Sequence, residues 1–136
     1  MAARVDMVQT PNILGYTAMV AAYRDGQPWL DELLRYLESN RDFLVRYVRT
    51  RFPGIELGVP EATYLAWLDC RGAGIPNNDP FTFFLEAGRV ALNDGATFGR
   101  GGQSFVRLNF GCPRSLLTQG LERMGAALAR LSRGGP

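Results

Sequence analysis

Lysine and histidine are both absent from the 136 residues, and all 15 basic residues are arginine. Arginine stays protonated in proteins, and lysine is the side chain that forms Schiff bases, so this chain has no side-chain amine for covalent carbonyl chemistry. Without imidazole, catalytic triads that need a histidine base are also excluded. We therefore expect no catalytic residue of either kind in this chain.

Cysteines and long apolar runs are also scarce. Cys70 and Cys112 are too few for a disulfide scaffold and are not spaced as a metal-binding pair, so we expect no metal. No apolar run approaches the length of a membrane span, and residues 1–12 lack the apolar core of a secretory signal. These absences predict a cytoplasmic protein with no membrane partner.

Charge and size favour an ordinary globular domain. Hydrophobic residues make up 46% and charged residues 21% of the chain, whose length suffices for one domain with a core. The net charge is only +2, and the arginines are mixed with acids along the chain. Because nucleic-acid binding needs a clustered basic surface, we expect no nucleic-acid partner.

The order of periodic segments predicts an α/β domain. Two helices come first: "TPNILGYTAMVAAYRDG", which begins at Pro11-Asn12 and ends at Asp25-Gly26, and a long one over "QPWLDELLRYLESNRDFLVRYVRTRFPG", which ends at Pro53-Gly54. Short β-prone segments follow, "IELGVP" and "TYLAWLDC", as an antiparallel pair. Then come a short helix capped by Asp79 with Pro80 at its first position, a strand over "RVALN" and a strand over 105–110. The final helix starts near Pro113, and steps of four and three residues place one apolar stripe on it: Leu117, Leu121, Met124, Leu128 and Leu131.

This pattern predicts a short mixed or antiparallel sheet covered by helices and preceded by a long linker helix. We expect residues 1–53 to form the helical arm and linker, and residues 54–136 to form the small α/β domain.

An arginine at the centre of the strand over 105–110 is the most informative single residue. Side chains of a strand alternate between its two faces, so one face can join the core while the other presents Arg107 beside an amide. The two faces are Phe105, Arg107 and Asn109, and Val106, Leu108 and Phe110.

Two interpretations of Arg107 follow from its position. A buried charge is costly when unpaired, so it can form an internal salt bridge to Asp69, Asp94 or Glu61. Alternatively it binds an incoming carboxylate, because guanidinium and carboxylate match bidentately and a strand holds the side chain in place before the ligand arrives. The residues alone favour the internal salt bridge but do not decide between the two.

Three segments resemble one enzyme family. The runs "EAGRVALNDGATFGRGGQSFVRLNFGCPRSLLTQGLERM", "PEATYLAWLDC" and "NILGYTAMVAAYRDGQPWLDELLRYLESNRDFL" are similar to the C-terminal part of pyridoxal-phosphate enzymes with the class I/II aminotransferase fold (fold type I). Within that family they resemble the cystathionine β-lyase, or C–S β-lyase, branch. The resemblance extends from about Pro11 to Leu128, and its most specific pieces are "ALNDGATFG" and "FVRLNF".

The resemblance implies a substrate-binding role for several residues. It assigns Arg107 to the substrate α-carboxylate and places the loop from Asn93 to Gly99 over the same pocket, with Phe98 as its expected contact. Tyr64 and Asn109 are further candidates, with a core or ladder role as the alternative for each.

Two further expectations concern assembly and packing. The segment from Thr10 to Leu14 resembles one near the dimer interface, so a homodimer is expected. Trp29 and Trp67 are expected to be packing residues only.

The resemblance also implies what this chain lacks. The cofactor-binding lysine, the acid that pairs with the pyridinium nitrogen and the phosphate-binding residues belong to a large domain without a matching stretch here. We therefore expect a C-terminal piece that binds no cofactor and is inactive alone. The intact enzyme would use pyridoxal 5'-phosphate to release thiol, pyruvate and ammonia from a sulfur amino acid such as cystathionine.

Two other functions remain open at this point. A transaminase of the same family keeps the same carboxylate contact, so the residues do not separate it from a lyase. A stand-alone α/β module that binds amino acids or a protein partner without catalysis is the second alternative.

Overall fold

The computed structural model describes residues 12–133, which form four helices and four strands. The helices are α1 (Ile13–Asp25), α2 (Gln27–Arg51), α3 (Pro80–Ala87) and α4 (Arg114–Arg133), and the strands are β1 (Glu56–Leu57), β2 (Leu65–Asp69), β3 (Asn93–Asp94) and β4 (Phe105–Asn109). The chain divides into two compact units, Met1–Arg35 and Tyr36–Pro136. The predicted division of the chain into residues 1–53 and 54–136 stays a prediction.

Helix α1 and the start of α2 make up the described part of the first unit. The side chain of Asn12 accepts a hydrogen bond from the Gly15 N–H at 2.7 Å, which caps α1. At the other end the Gly26 N–H donates to the Ala22 carbonyl, and α2 begins at the next residue. The predicted helix start at Asn12 and stop at Asp25-Gly26 are confirmed, whereas Pro11 lies outside the described residues.

The second unit contains an antiparallel sheet with strand order β1-β2-β4-β3. One face of this sheet is buried, because alternate residues of β2 and β4 meet apolar side chains of the helices. Among the buried residues are Leu44 and Val48 of α2, Leu68 of β2, Val106 and Leu108 of β4, Phe84 of α3, and Leu117, Leu121, Met124 and Leu128 of α4. The predicted α/β fold, a short sheet covered by helices, is confirmed.

The caps and apolar stripe of the last two helices also match the sequence pattern. Asp79 accepts a hydrogen bond from the Thr82 N–H at 3.1 Å and Pro80 is the first residue of α3, as predicted. The stripe of α4 is buried at the predicted steps of three and four residues from Leu117 to Leu128, and Leu131 is partly buried.

The strand predicted over "RVALN" is largely wrong. Only Asn93 of that segment belongs to a strand, and β3 contains just Asn93–Asp94. Arg89 has a left-handed backbone, with φ of 55°, and the Val90 N–H donates to the Phe84 carbonyl inside α3. The segment therefore forms the exit from α3, where the Val90 N–H is hydrogen-bonded to the helix instead of to β4.

Candidate functional site

Strand β4 presents Arg107 on the sheet face opposite the core. Val106 and Leu108 are buried, whereas Arg107 is half-buried, which confirms the predicted alternation. In the antiparallel pairing of β2 with β4, Trp67 lies directly opposite Arg107. The two side chains therefore project from the same face as cross-strand neighbours.

The guanidinium of Arg107 is bound by an amide and an aromatic ring. Its Nε and Nη2 atoms donate to Asn93 Oδ1 at 3.3 and 3.1 Å. The guanidinium carbon lies 4.6 Å from the centroid of the Phe98 ring, within the range of a cation–π interaction. The hydrogen bonds fix one edge of the guanidinium, and the ring covers one of its faces.

No carboxylate pairs with Arg107 within residues 12–133, where the ion pairs closer than 4.0 Å involve other arginines. Asp69 binds Arg71, and the Asp94 carboxylate accepts a hydrogen bond from the Ala96 N–H at 3.0 Å. The internal salt bridge to Asp69, Asp94 or Glu61 is therefore wrong as an interpretation.

The hydrogen bonds of Arg107 leave one end of the guanidinium available. A guanidinium has five N–H donors, and the Nε–Nη2 edge is used by the single oxygen of Asn93. Within the described chain, the Nη1 amino group donates to no protein acceptor. The pair of Nη1 and Nη2 donors is the edge that a carboxylate can engage through two parallel hydrogen bonds.

Five side chains form a continuous series of contacts across this sheet face, and we call them the aromatic row. Phe98 meets Trp67 edge to face at 5.5 Å, and Trp67 stacks on Phe105 at 5.5 Å with an interplanar angle of 18°. An arginine lies over the ring at each end, Arg107 over Phe98 at 4.6 Å and Arg71 over Phe105 at 5.1 Å. The open face of the sheet is therefore aromatic, with a guanidinium at either end.

Trp67, which we expected only to pack, does pack against Phe98 and Phe105, but on the open face of the sheet, which the sequence reasoning did not indicate. It is 37% exposed and lies in the middle of the aromatic row, on the face away from the core. The signal was present in "TYLAWLDC", where alternation assigns Ala66 and Leu68 to the core face and Trp67 to the other. Its contact with Phe98, in contrast, depends on a loop about thirty residues away along the chain.

The loop that contains Phe98 is folded tightly by two glycines. A Cβ atom added to Gly95 or to Gly102 would overlap the carbonyl of the other residue, so both positions need glycine. Asp94 caps the turn through its bond with the Ala96 N–H. The close approach of the two glycine backbones brings Phe98 back over β4 and onto Arg107.

Tyr64 and Asn109 lie at the other end of the β2–β4 pair. Asn109 Oδ1 accepts a hydrogen bond from the Gly111 N–H at 2.8 Å, as in an Asx turn. The Tyr64 carbonyl accepts one from the Phe110 N–H at 2.9 Å, and the Tyr64 ring lies beside Gly111. These contacts are structural, and a substrate-binding role for either residue stays a prediction.

The described residues do not by themselves suit pyridoxal phosphate or a metal. The chain has no lysine for the cofactor aldehyde. Burial raises the pKa of the Cys70 thiol to about 12 and also raises that of Cys112, so neither thiol is an activated nucleophile. Within residues 12–133 no three His, Cys, Asp or Glu side chains converge as metal ligands, and no helix has the length and apolar character to span a bilayer.

Comparisons with known proteins place this arrangement in context. No family model matches the chain. Protein MalY of Escherichia coli is 42% identical over 116 residues, and cystathionine beta-lyase PatB of Bacillus subtilis is 40% identical over 118 residues. These matches cover 85% and 87% of this chain and 30% of each relative. The solved PLP-bound C-S lyase from Staphylococcus hominis superposes with a TM-score of 0.84 at 30% identity, covering 90% of this chain and 33% of that one.

The resemblance to this family is confirmed. The chain matches the small C-terminal domain of fold-type-I pyridoxal-phosphate enzymes, and its curated relatives include several cystathionine β-lyases. Aspartate aminotransferases also match, at 29% and 25% identity. The chain spans about a third of the length of the relatives it matches.

Proposed function

We propose that this chain is the substrate-carboxylate-binding small domain of a pyridoxal-phosphate-dependent C–S β-lyase that acts on sulfur amino acids such as cystathionine. The observation that supports this most directly is Arg107, held on a strand by an amide oxygen with one guanidinium edge available. The cofactor would be bound by a large domain outside these residues and would supply the means to stabilise charge at the substrate Cα. The chain alone is inactive, because it has no lysine.

Within such an enzyme Arg107 binds the α-carboxylate of the substrate and so orients the substrate. Its Nη1 and Nη2 atoms donate to the two oxygens of the substrate α-carboxylate. Asn93 holds the opposite edge and Phe98 covers one face, so the guanidinium plane is set before the substrate arrives. A fixed carboxylate leaves the substrate's Cα–H bond and its sulfur-bearing side chain in one orientation, which is the contribution of this domain to the reaction.

The lyase is preferred over a transaminase because curated relatives named cystathionine β-lyase match at 40% identity or above, whereas the curated aspartate aminotransferases match at 29% and 25%. A solved structure named as an aminotransferase, from Clostridium difficile, matches at 37% identity, so the transaminase stays the first alternative. The carboxylate contact serves both reactions equally. A non-catalytic module that binds amino acids or a partner protein is the second alternative.

A chimera tests the proposal. Residues 12–133 would replace the matching segment of the Bacillus subtilis cystathionine β-lyase PatB, and pyruvate release from cystathionine would be measured. We expect an active chimera in which Arg107→Ala raises KM by about 30-fold or more, the loss expected for a bidentate charged contact. The control is Arg123→Ala, which removes an exposed arginine of α4 and should leave KM unchanged.

Other outcomes would decide against parts of the proposal. An unchanged KM for Arg107→Ala would contradict the carboxylate contact. In the full-length enzyme that contains this chain, transfer of the amino group to a keto acid without thiol release would favour the transaminase. A stable visible absorbance band with turnover, after pyridoxal phosphate is added to the chain alone, would contradict its inactivity.

Two further expectations belong to the same proposal, a homodimer and a cytoplasmic location. Ile13 and Leu14, in the segment that resembles one near the dimer interface, are 75% and 77% exposed. Exposed apolar side chains of this size are typical of surfaces that bind another protein. The mass of the purified chain in solution, measured at several concentrations, would test self-association.

A further inference from the structure

The orientation of Arg107 depends on a ring that is itself weakly anchored. Phe98 ends a short 3-10 turn (Gly95–Phe98) and is followed by Gly99, whose φ is 117°. Its side chain is 53% exposed, so the core does not hold it. A phenylalanine in such a loop samples several rotamers unless a neighbour restrains it.

Trp67 is the neighbour that restrains Phe98. The two rings meet at 5.5 Å with an interplanar angle of 85°, the edge-to-face geometry favoured by aromatic pairs. Trp67 is itself fixed, because it lies in the centre of β2 and stacks on Phe105 of β4. The sequence of contacts from the strands outward is Phe105, Trp67, Phe98 and then the Arg107 guanidinium.

From these contacts we infer that Trp67 is a positioning residue for the carboxylate site, acting through Phe98. It keeps the Phe98 ring under the guanidinium, so that the Nη1–Nη2 edge faces an incoming carboxylate. Asn93 restrains one edge of the guanidinium but leaves rotation about that edge, which the ring opposes. This inference rests on the proposed function, because it assumes that Arg107 binds the substrate.

The first experiment needs no catalysis. The Nε–Hε resonance of Arg107, assigned by its loss in Arg107→Ala, reports the ring current of Phe98 in NMR spectra of the chain. We expect Trp67→Leu and Phe98→Leu to move this resonance to similar positions, toward that of an unstructured arginine. Trp67→Phe should retain most of the native shift, and Trp29→Phe, which changes the other tryptophan, should leave it unchanged.

The second experiment measures kinetics in the chimera. We expect Trp67→Leu to raise KM by about 5- to 20-fold with little change in kcat, the scale of a lost cation–π contact. Trp67→Phe should restore KM to within about twofold, because an aromatic edge remains. The double variant with Phe98→Leu should be no worse than either single change, because contacts in series are not additive.

The outcomes separate the two proposals. If Arg107→Ala leaves KM unchanged, the proposed function fails. If Arg107→Ala raises KM but Trp67→Leu alters neither KM nor the Arg107 resonance, only the role of Trp67 is overturned. Additive effects of Trp67→Leu and Phe98→Leu on KM would show that Trp67 acts independently of Phe98, which also overturns the inference.

Discussion

Arg107 on β4 and Arg114 at the start of α4 have similar immediate surroundings. Each guanidinium lies over a phenylalanine ring, at 4.6 Å for Phe98 and 4.4 Å for Phe43. Each also donates from Nε to the Oδ1 atom of an asparagine. Neither forms an ion pair with a described carboxylate. A missing carboxylate therefore does not by itself distinguish a ligand-binding arginine from a structural one.

The difference lies in the asparagine partners. Asn40, which binds Arg114, is completely buried, and its amide group donates to the carbonyls of Phe110 and Cys112 at 3.0 and 2.9 Å. Asn93, which binds Arg107, is exposed. The Arg114 side chain completes a network that fixes the β4–α4 connection to α2, because its Nη2 also donates to Ser39 Oγ. Arg107, whose two bonds end on one surface oxygen, holds only itself in place.

The largest effect should come from the buried amide. Asn40→Leu removes the amide that donates to two carbonyls, one buried and one partly buried, and we expect it to lower the free energy of unfolding of the chain by about 2–4 kcal/mol. The matched change Asn93→Leu removes an exposed amide and should cost about 0.5 kcal/mol or less. Urea unfolding of both variants would measure the difference, and equal losses would contradict the distinction between the two arginine sites.

Substitutions of the two arginines should differ less in their effect on the free energy of unfolding, and Arg114 should again be the more important of the two sites. Arg114→Ala loses hydrogen bonds to Asn40 and Ser39 and the contact with Phe43, so we expect a loss of about 1–2 kcal/mol in unfolding free energy. Arg107→Ala should change stability by about 0.5 kcal/mol or less, because its partners lie at the surface. A large loss of stability in Arg107→Ala would make its effect on KM uninterpretable as carboxylate binding.

Most of the fold follows from local signals in the sequence. The caps at Asn12 and Asp79, the alternation of β4 and the stripe of α4 are properties of neighbouring residues, and the structure matches each of them. The strand over "RVALN" failed because β-prone residues occupy a helix exit, where the Val90 N–H is already bound within α3. β-propensity describes the side chains and does not show whether a backbone N–H is already hydrogen-bonded elsewhere.

The candidate site was also predicted in part by local sequence patterns and in part not. Alternation predicted the sheet face on which Arg107 lies. It did not predict the partner of Arg107, because the sequence offered three acids as possible partners. In the structure Asp69 forms an ion pair with Arg71, two residues along the chain, and does not bind Arg107. The partner of Arg107 is Asn93, which lies opposite it because β3 pairs with β4. The contact of Arg114 with Asn40 joins residues 74 positions apart, so no local pattern could have indicated it.

The smallest expected effect concerns the third arginine of this kind, Arg71, which lies over Phe105 and does have a carboxylate partner. Hydrogen bonds from the Arg71 side chain lower the pKa of Asp69, so the pair stabilises the folded chain above the ordinary pKa of about 4. That stability is lost as the pH falls through the lowered pKa, where Asp69 becomes protonated in the folded state. The free energy of unfolding of the wild type should therefore exceed that of Asp69→Asn by a constant amount above about pH 5, and by less below about pH 4.

Arg107→Ala should instead change the free energy of unfolding by the same amount across this pH range, because Asn93 does not titrate. A pH-dependent change measured by urea unfolding would reveal a carboxylate partner of Arg107.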